Sequence, residues 1–250
     1  MRSLGVDLGG SGFRFGVFDT SSGRLEGHLG RHVHAESTGP EAVLSALEAA
    51  IDAIGWEGPI GLGFPGAIKD DRPATAPNLG EAWTRTDVKT RLERFHKGRF
   101  AMLNDADAVA EAERIFGAGH AQAACVLTLT VGTGLGTTLH RDGALIANLE
   151  YGRWPHPHRP GLLEEHLSGR ARTLGGLSLV QWATRFQEGL SYLEERLEPD
   201  RIVLYGGIME HWDELEPMLT TTAETVPALL NETAGPLGAA LAAVSGIQAL

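Results

Sequence analysis

Two short stretches put glycine beside a hydroxyl residue inside otherwise apolar, strand-like runs. They are Gly9-Gly10-Ser11-Gly12 within VDLGGSGFRFGVFD and Gly132-Thr133-Gly134 within LTVGTGLGTTLH. Glycine weakens a strand interior, so each run is expected to turn back on itself there as a hairpin. Such a turn exposes backbone N–H groups, and without Cβ atoms an oxyanion can approach them closely. Ser11 and Thr133 add hydroxyl donors, and Asp7 precedes the first turn, where it could hold a hydrated Mg²⁺ against phosphates. Neither stretch is a GK[ST] loop or a GxGxxG opening a helix. One glycine turn alone is equally well a plain structural turn. Two such hairpins facing each other across a cleft can hold a polyanion from both ends.

Three further stretches carry polar groups at the ends of apolar runs. In LNDADA (103–108), Asn104 can bond a substrate hydroxyl and Asp105 can accept its proton as the oxygen attacks phosphorus. Phosphoryl transfer needs alignment, charge neutralisation and one proton acceptor, and little else from the protein. The plain alternative is a helix N-cap. In NLEYGRWPHPHRPGLLEEHLSG (148–169), Glu150 and Glu164 could each accept from sugar hydroxyls, or the whole stretch could be a polar surface loop. His156 and His158 suggest a metal, but one cysteine and an intervening proline argue against structural zinc, and none is expected. After the run RIVLY, Gly206 and Gly207 could let an adenine or ribose lie on the backbone, or simply make a turn.

These groups need a scaffold, and the hydropathy pattern supplies an α/β one. Val43, Leu44, Leu47, Ile51 and Ile54 share one face of a helix opened by Pro40 and stopped by Gly55. Strands are expected at 59–66, 99–105, 123–131 and 201–208. Helices are expected near 86–95, at 106–119, at 178–197 and from 235 onward. The two glycine-interrupted hairpins suggest one supersecondary unit used twice. At 250 residues, two domains are expected.

The net charge of −11 argues against a nucleic-acid partner, and no apolar run is long enough for a membrane span. No secretory signal is read at the N-terminus, and the single cysteine, Cys125, suits a reducing cytoplasm. Within 85–99, six Lys or Arg face two acids, which makes that segment a candidate lane for a long anion or an ordinary solvated face.

Taken together, these motifs resemble the ROK sugar kinases of the actin-like ATPase (ribonuclease H-like) fold, two lobes with a cleft between them, and within them the polyphosphate glucokinases. VDLGGSGFRFGVFD is similar to the first phosphate motif, with Ser11 and Arg14 where Thr and Lys are usual, and LTVGTGLG is similar to the second. LNDADAVAEAERIFGAG is similar to the catalytic segment, which implies Asp105 as base and Asn104 as a sugar contact. NLGEAW resembles an asparagine-containing loop, implying Asn78 as another sugar contact. EYGR stands where the family has Glu-x-Gly-His, so Glu150 matches and Arg153 replaces the histidine; Glu164 aligns with a second sugar glutamate. His156 or His158 is a candidate to fill the missing histidine's place.

The resemblance implies a Mg²⁺-dependent kinase transferring phosphoryl from polyphosphate or ATP to glucose, with Gly206 and Gly207 on the nucleotide side. It implies lobes at 1–106 and 107–235, with helix 236–248 packing back on the first. A homodimer is the commonest assembly prior. A sugar-sensing protein without turnover, or a kinase for another hexose or an amino sugar, stays open.

Overall fold

The computed structural model describes residues 1–34, 38–119 and 123–245. The chain divides into two compact units, Met1–Phe116 continued by Glu232 onward, and Gly117–Asn231. In the first unit, β1 (Arg2–Gly9), β2 (Gly12–Asp19) and β3 (Arg24–Val33) form an antiparallel meander, followed by α1 (Pro40–Ile54) and β4 (Ile60–Phe64). A small hairpin, β5 (Ile68–Lys69) and β6 (Arg72–Pro73), leads through α2 (Val88–Leu92) to β7 (Phe100–Asn104) and α3 (Asp105–Phe116).

The second unit holds β8 (Cys125–Val131), β9 (Leu135–Arg141) and β10 (Ala144–Ile146), then α4 (Glu164–Leu167), α5 (Gly169–Leu174) and α6 (Leu179–Leu197). It continues through β11 (Arg201–Tyr205), α7 (Trp212–Leu215) and β12 (Glu224–Pro227). The chain then returns to the first unit with α8 (Ala234–Ser245).

The two main sheets share one design. Their orders are β3-β2-β1-β4-β7 and β10-β9-β8-β11-β12: three antiparallel strands, then two added in parallel. The first core gathers Leu4, Val6, Leu44, Leu47, Ile51, Ile60, Leu62, Phe64 and Trp83. The second packs Trp182, Phe186, Leu190 and Leu193 of α6 onto Leu127, Leu129, Ile202 and Leu204.

Local signals place most boundaries. Gly55 closes α1 in the left-handed conformation, and Ser178 with Gln181 forms a capping box on α6. The helix expected near 86–95 is interrupted, because α2 ends at Leu92 and passes into a single 3-10 turn. The expected boundary after residue 106 falls at the first turn of α3, whereas all of α3 belongs to the first unit. The reason is packing: Gly238 of α8 sits directly on the backbone of Ala108. Residues 246–248 of the expected closing helix lie outside the described residues.

α8 is buried continuously from Ala234 to Ala243. It can lie this deep because its neighbours have almost no side chains. Gly5 and Gly61 are register partners on β1 and β4, and a Cβ on either would fall on a carbonyl of α8, at Pro236 or Ala239. Ala101, register partner of Gly61 on β7, continues the small-residue row beside Ala239 and Ala242. Overpacking a closed core typically costs about 1–3 kcal/mol. Gly61→Ala and Gly238→Ala, which put a methyl against backbone rather than a movable side chain, are each expected to cost about 3 kcal/mol, read as a lower urea midpoint at unchanged slope.

Candidate active site

In the first unit, the β1–β2 hairpin closes at the pair Gly9 and Gly12, with Gly10 and Ser11 forming the turn. Gly12 has no room for a Cβ, which would meet the carbonyl oxygen of His32. His34 fastens the turn at both ends. Its backbone N–H donates to Ser11 O (2.9 Å) and its Nε2 to Gly9 O (3.1 Å). Burial holds the His34 imidazolium below its ordinary pKa. Asn78 comes alongside the turn, its carbonyl oxygen 3.7 Å and its Cβ 3.8 Å from where a Gly10 Cβ would stand.

Asp7 and Arg14 face each other across the hairpin, and Arg14 donates to Asp7 Oδ2 through Nη2 (2.5 Å) and Nε (3.2 Å). Burial pushes the Asp7 carboxyl up from its ordinary pKa, while the Arg14 charge and hydrogen bond oppose that shift. Gly235, at the start of α8, is the other wall: a Cβ there would lie 2.7 Å from Asp7 Cγ.

Asp7, Gly63 and Asp105 lie near one another at the C-terminal ends of parallel β1, β4 and β7, where open α/β sheets bind ligands. Asn104 is the residue that caps α3. Its Oδ1 accepts from the N–H groups of Ala106 (2.8 Å) and Asp107 (3.2 Å), and its Nδ2 donates to Gly66 O (3.2 Å). Asp105 Oδ1 accepts from Ala106 N–H (2.8 Å), which draws its carboxylate over the helix start. The sequence offers Asp105 or Asp107 as the capping residue, and the structure gives that place to Asn104, one residue before Asp105.

In the second unit, the β8–β9 hairpin turns through Gly132, Thr133 and Gly134, closed by Gly132 N–H on Gly134 O (3.1 Å). Glu164 leans on this turn, with Oε2 3.1 Å from a Cβ placed on Gly134. Gly206 (φ 125°) packs against the carbonyl of Val131, and Gly207 next to it faces open space. Thr137 fixes the segment carrying Glu150, accepting from Tyr151 N–H (3.1 Å) and donating to Leu149 O (2.8 Å). Gly152 then passes under the carbonyl of Leu135, where no side chain fits. Glu150 keeps solvent access, yet its carboxyl sits among protein atoms. Burial raises its pKa most, the Glu164 charge raises it further, and the Arg153 charge opposes both.

The structure does not place His156 as a replacement for the missing sugar histidine, while His158 is exposed and lies edge-on to the His156 ring (6.5 Å). The His156 side chain is fully buried, 3.8 Å from Glu188 of α6 and ring to ring with His166 (4.8 Å). Its Nδ1 accepts from the His158 N–H (3.2 Å), and burial with the neighbouring His166 lowers its pKa. Glu188 is itself clamped by Arg159 through two bonds of 2.6 and 2.7 Å. These residues pin the loop to α6. The 85–99 segment is likewise not a free basic lane, because Arg85 pairs with Glu81, Lys89 with Asp71, Arg91 with Glu41 and Glu48, Arg94 with Asp52, and Lys97 with Glu57.

Residues that sequence reasoning missed are the supports: His34, Gly63, Thr137, Gly152 and Gly235. Only the glycines were visible as a signal, since a glycine in a strand or at a helix start marks close approach. Among the described residues, no group of three or more His, Cys, Asp or Glu side chains is arranged to hold a metal ion.

Two sheets of one strand order, each ending its first hairpin in a glycine-rich turn, define an actin-like ATPase fold. Within it, the chain belongs to the ROK family, whose pattern matches residues 3–156. It is 32% identical over 245 residues to the polyphosphate glucokinase of Mycobacterium tuberculosis, covering 98% of this chain and 92% of that protein. The inorganic polyphosphate/ATP-glucomannokinase from Arthrobacter sp. strain KM superposes with a TM-score of 0.88 at 30% identity, covering 98% of this chain and 99% of that one. A ROK family glucokinase from Streptomyces griseus, solved with glucose and AMPPNP, shares the fold with a TM-score of 0.79 at 23% identity, covering 98% and 100%.

The charges around Glu150 give a signed test. Arg153→Gln removes the opposing cation and is expected to move the Glu150 titration to higher pH. Glu164→Gln removes the neighbouring anion and is expected to move it lower. Carboxyl carbon shifts in an NMR titration read both, and movement in the opposite sense in either variant would contradict this arrangement.

Proposed function

We propose that this protein is a glucokinase that transfers a phosphoryl group from polyphosphate or ATP to glucose, giving glucose 6-phosphate. The observation that carries the reading is the position of Glu164. Its carboxylate leans on the Gly132–Gly134 turn and is electrostatically coupled to Glu150, so acceptors for sugar hydroxyls adjoin donors for phosphate in one unit. The names of the relatives, polyphosphate glucokinase and polyphosphate/ATP-glucomannokinase, fit that chemistry.

In this mechanism Asp105 takes the proton from the attacking sugar hydroxyl. The freed oxygen forms a bond to phosphorus as the bond to the donor's bridging oxygen breaks, and the shortened donor leaves with that electron pair. Asn104 works as a donor, since its Oδ1 is spent on the α3 cap while Nδ2 has a second hydrogen beyond the bond to Gly66. Glu150 and Glu164 accept from further hydroxyls, with Asn78 and Arg153 completing the sugar contacts. The turns at Gly9–Gly12, with Ser11 and Arg14, and at Gly132–Gly134, with Thr133, receive phosphate oxygens on backbone N–H groups. Gly206 and Gly207 offer bare backbone to the nucleoside of ATP.

Asp7 fits a hydrated Mg²⁺. It is a hard oxygen donor, and both Arg14 bonds fall on Oδ2, which leaves Oδ1 for a metal-bound water. The ion would supply charge neutralisation on the phosphates. On this reading the enzyme works in the cytoplasm, as a homodimer; its one thiol, Cys125, is buried. Among the described residues, no helix is long and apolar enough to cross a membrane.

A coupled assay for glucose 6-phosphate, with ATP in one arm and polyphosphate in the other, tests the whole reading. Turnover in either arm is expected, and silence in both overturns it. Asp105→Asn keeps the size of the side chain and removes the proton acceptor. It is expected to lower kcat by about 10²–10⁴ with little change in glucose affinity, and a fall of less than about fivefold would exclude Asp105 as the base.

A further inference from the structure

We propose that Arg170 is a binding residue for the phosphoryl donor, placed to grip a phosphate of an extended polyphosphate chain next to the Gly132–Gly134 turn. The inference rests on the kinase reading above and deepens it, by naming a side chain for the role weighed for the candidate lane at 85–99.

The first observation is an anchor. Arg170 N–H donates to the carbonyl of Gly132 (3.1 Å), so its Cα is tied to the first residue of the second phosphate turn. Gly169 makes that approach possible, because even a bare Cβ there would lie only 3.3 Å from the same carbonyl oxygen. Ser168, just before it, is buried, its carbonyl accepting the indole N–H of Trp182 (3.2 Å) from the core of α6. The backbone under Arg170 is thus held from the turn on one side and from the core on the other.

The second observation is the state of the guanidinium. Arg170 is exposed, and among the described residues its side chain has no ion-pair or hydrogen-bond partner. That contrasts with the cations of 85–99, of which Arg85, Lys89, Arg91, Arg94 and Lys97 are each matched to a carboxylate. An arginine that spends no charge within the protein can give a bidentate contact to a phosphate.

The third observation is order along the chain. Glu164, the proposed sugar acceptor, leans on Gly134, while Arg170 is tied to Gly132. One short segment therefore sets the Glu164 carboxylate against one end of the turn and the backbone of a cationic residue, Arg170, against the other. Arg172, also without a side-chain partner among the described residues, adds a second cation to that segment.

The test compares Arg170→Gln with a double variant of the paired segment, Arg94→Gln with Lys97→Gln. Direct binding of long-chain polyphosphate and of ATP is measured by calorimetry across a salt series, beside the KM for each donor and for glucose. Arg170→Gln is expected to weaken polyphosphate about tenfold or more. The plot of log affinity against log salt should become shallower by about one, as expected when one phosphate contact is lost. Glucose KM and melting temperature should hold, and the 94/97 double variant should bind polyphosphate as the unaltered protein does.

Polyphosphate affinity within twofold in Arg170→Gln, or a loss found instead in the 94/97 variant, overturns the assignment and leaves the kinase reading intact. An unaltered protein that neither binds nor uses either donor overturns the kinase reading, and this inference falls with it.

Discussion

Everything in the first unit depends on how closely the backbone of α8 can approach the sheet. Gly5 and Gly61 leave a bare lane across β1 and β4, and Gly238 leaves another on the helix toward α3. A helix rich in alanine and glycine has modest side-chain area to bury, so its stabilisation comes from removing nearly all of it from water and from dense contact. The same approach reaches the site. With α8 seated, Gly235 lies against the Asp7 carboxyl, so the C-terminal segment becomes a wall of the β1–β2 hairpin. A change that lifts α8 off the sheet disturbs both stability and the Asp7–Arg14 pair.

The second unit solves the same problem differently. Its covering helix, α6, fills the gap with Trp182, Phe186, Leu190 and Leu193, and the packing there is side chain against side chain. The polar groups therefore cannot sit on the covering helix close to the sheet. They ride on the long segment between β10 and α6, held at a few points. Thr137 grips it near Glu150, Gly152 slides beneath β9, and Arg159 fastens it to Glu188, with the His156 ring packed alongside. Burying a histidine without a full set of partners costs free energy, and the lowered pKa of His156 follows from that cost. The neutral ring serves as packing, which is why it could not also serve a sugar.

Much of this was legible in the sequence, for identifiable reasons. Glycine beside hydroxyl residues marked both turns, and period and capping residues placed α1 and α6, because those signals act within a few residues along the chain. What escaped was set by distant partners. LNDADA offered a cap or a reacting pair, and only the folded backbone shows Asn104 capping α3 while Asp105 stands beside Gly63. The segment 85–99 left a lane or a solvated face open because the carboxylates that pair with its cations, such as Glu41, Glu48, Asp52 and Glu57, lie a few tens of residues away. The stretch with His156 and His158 offered a polar surface loop or a sugar contact, and only the fold shows it fastened through Arg159 to Glu188 on another helix.

The balance of charge explains why so few cations can matter. The chain carries a net charge of −11, and many of its arginines and lysines are committed to carboxylates. Such pairs contribute little to stability when exposed, yet they withdraw cations from any role in binding. On the proposed reading, recognition of an anion then falls on backbone N–H groups at the glycine turns. Those groups read an oxyanion at short range and are blind to what lies further along the donor. A nucleotide and a phosphate chain present the same terminal group to such a turn, so the two can be told apart only by residues beside it. In the proposed roles, bare glycine at Gly206 and Gly207 would favour a flat nucleoside, and the unspent guanidinium of Arg170 a further phosphate. A fold that binds phosphate by its backbone can therefore change donor through a few neighbouring side chains without altering the turns themselves.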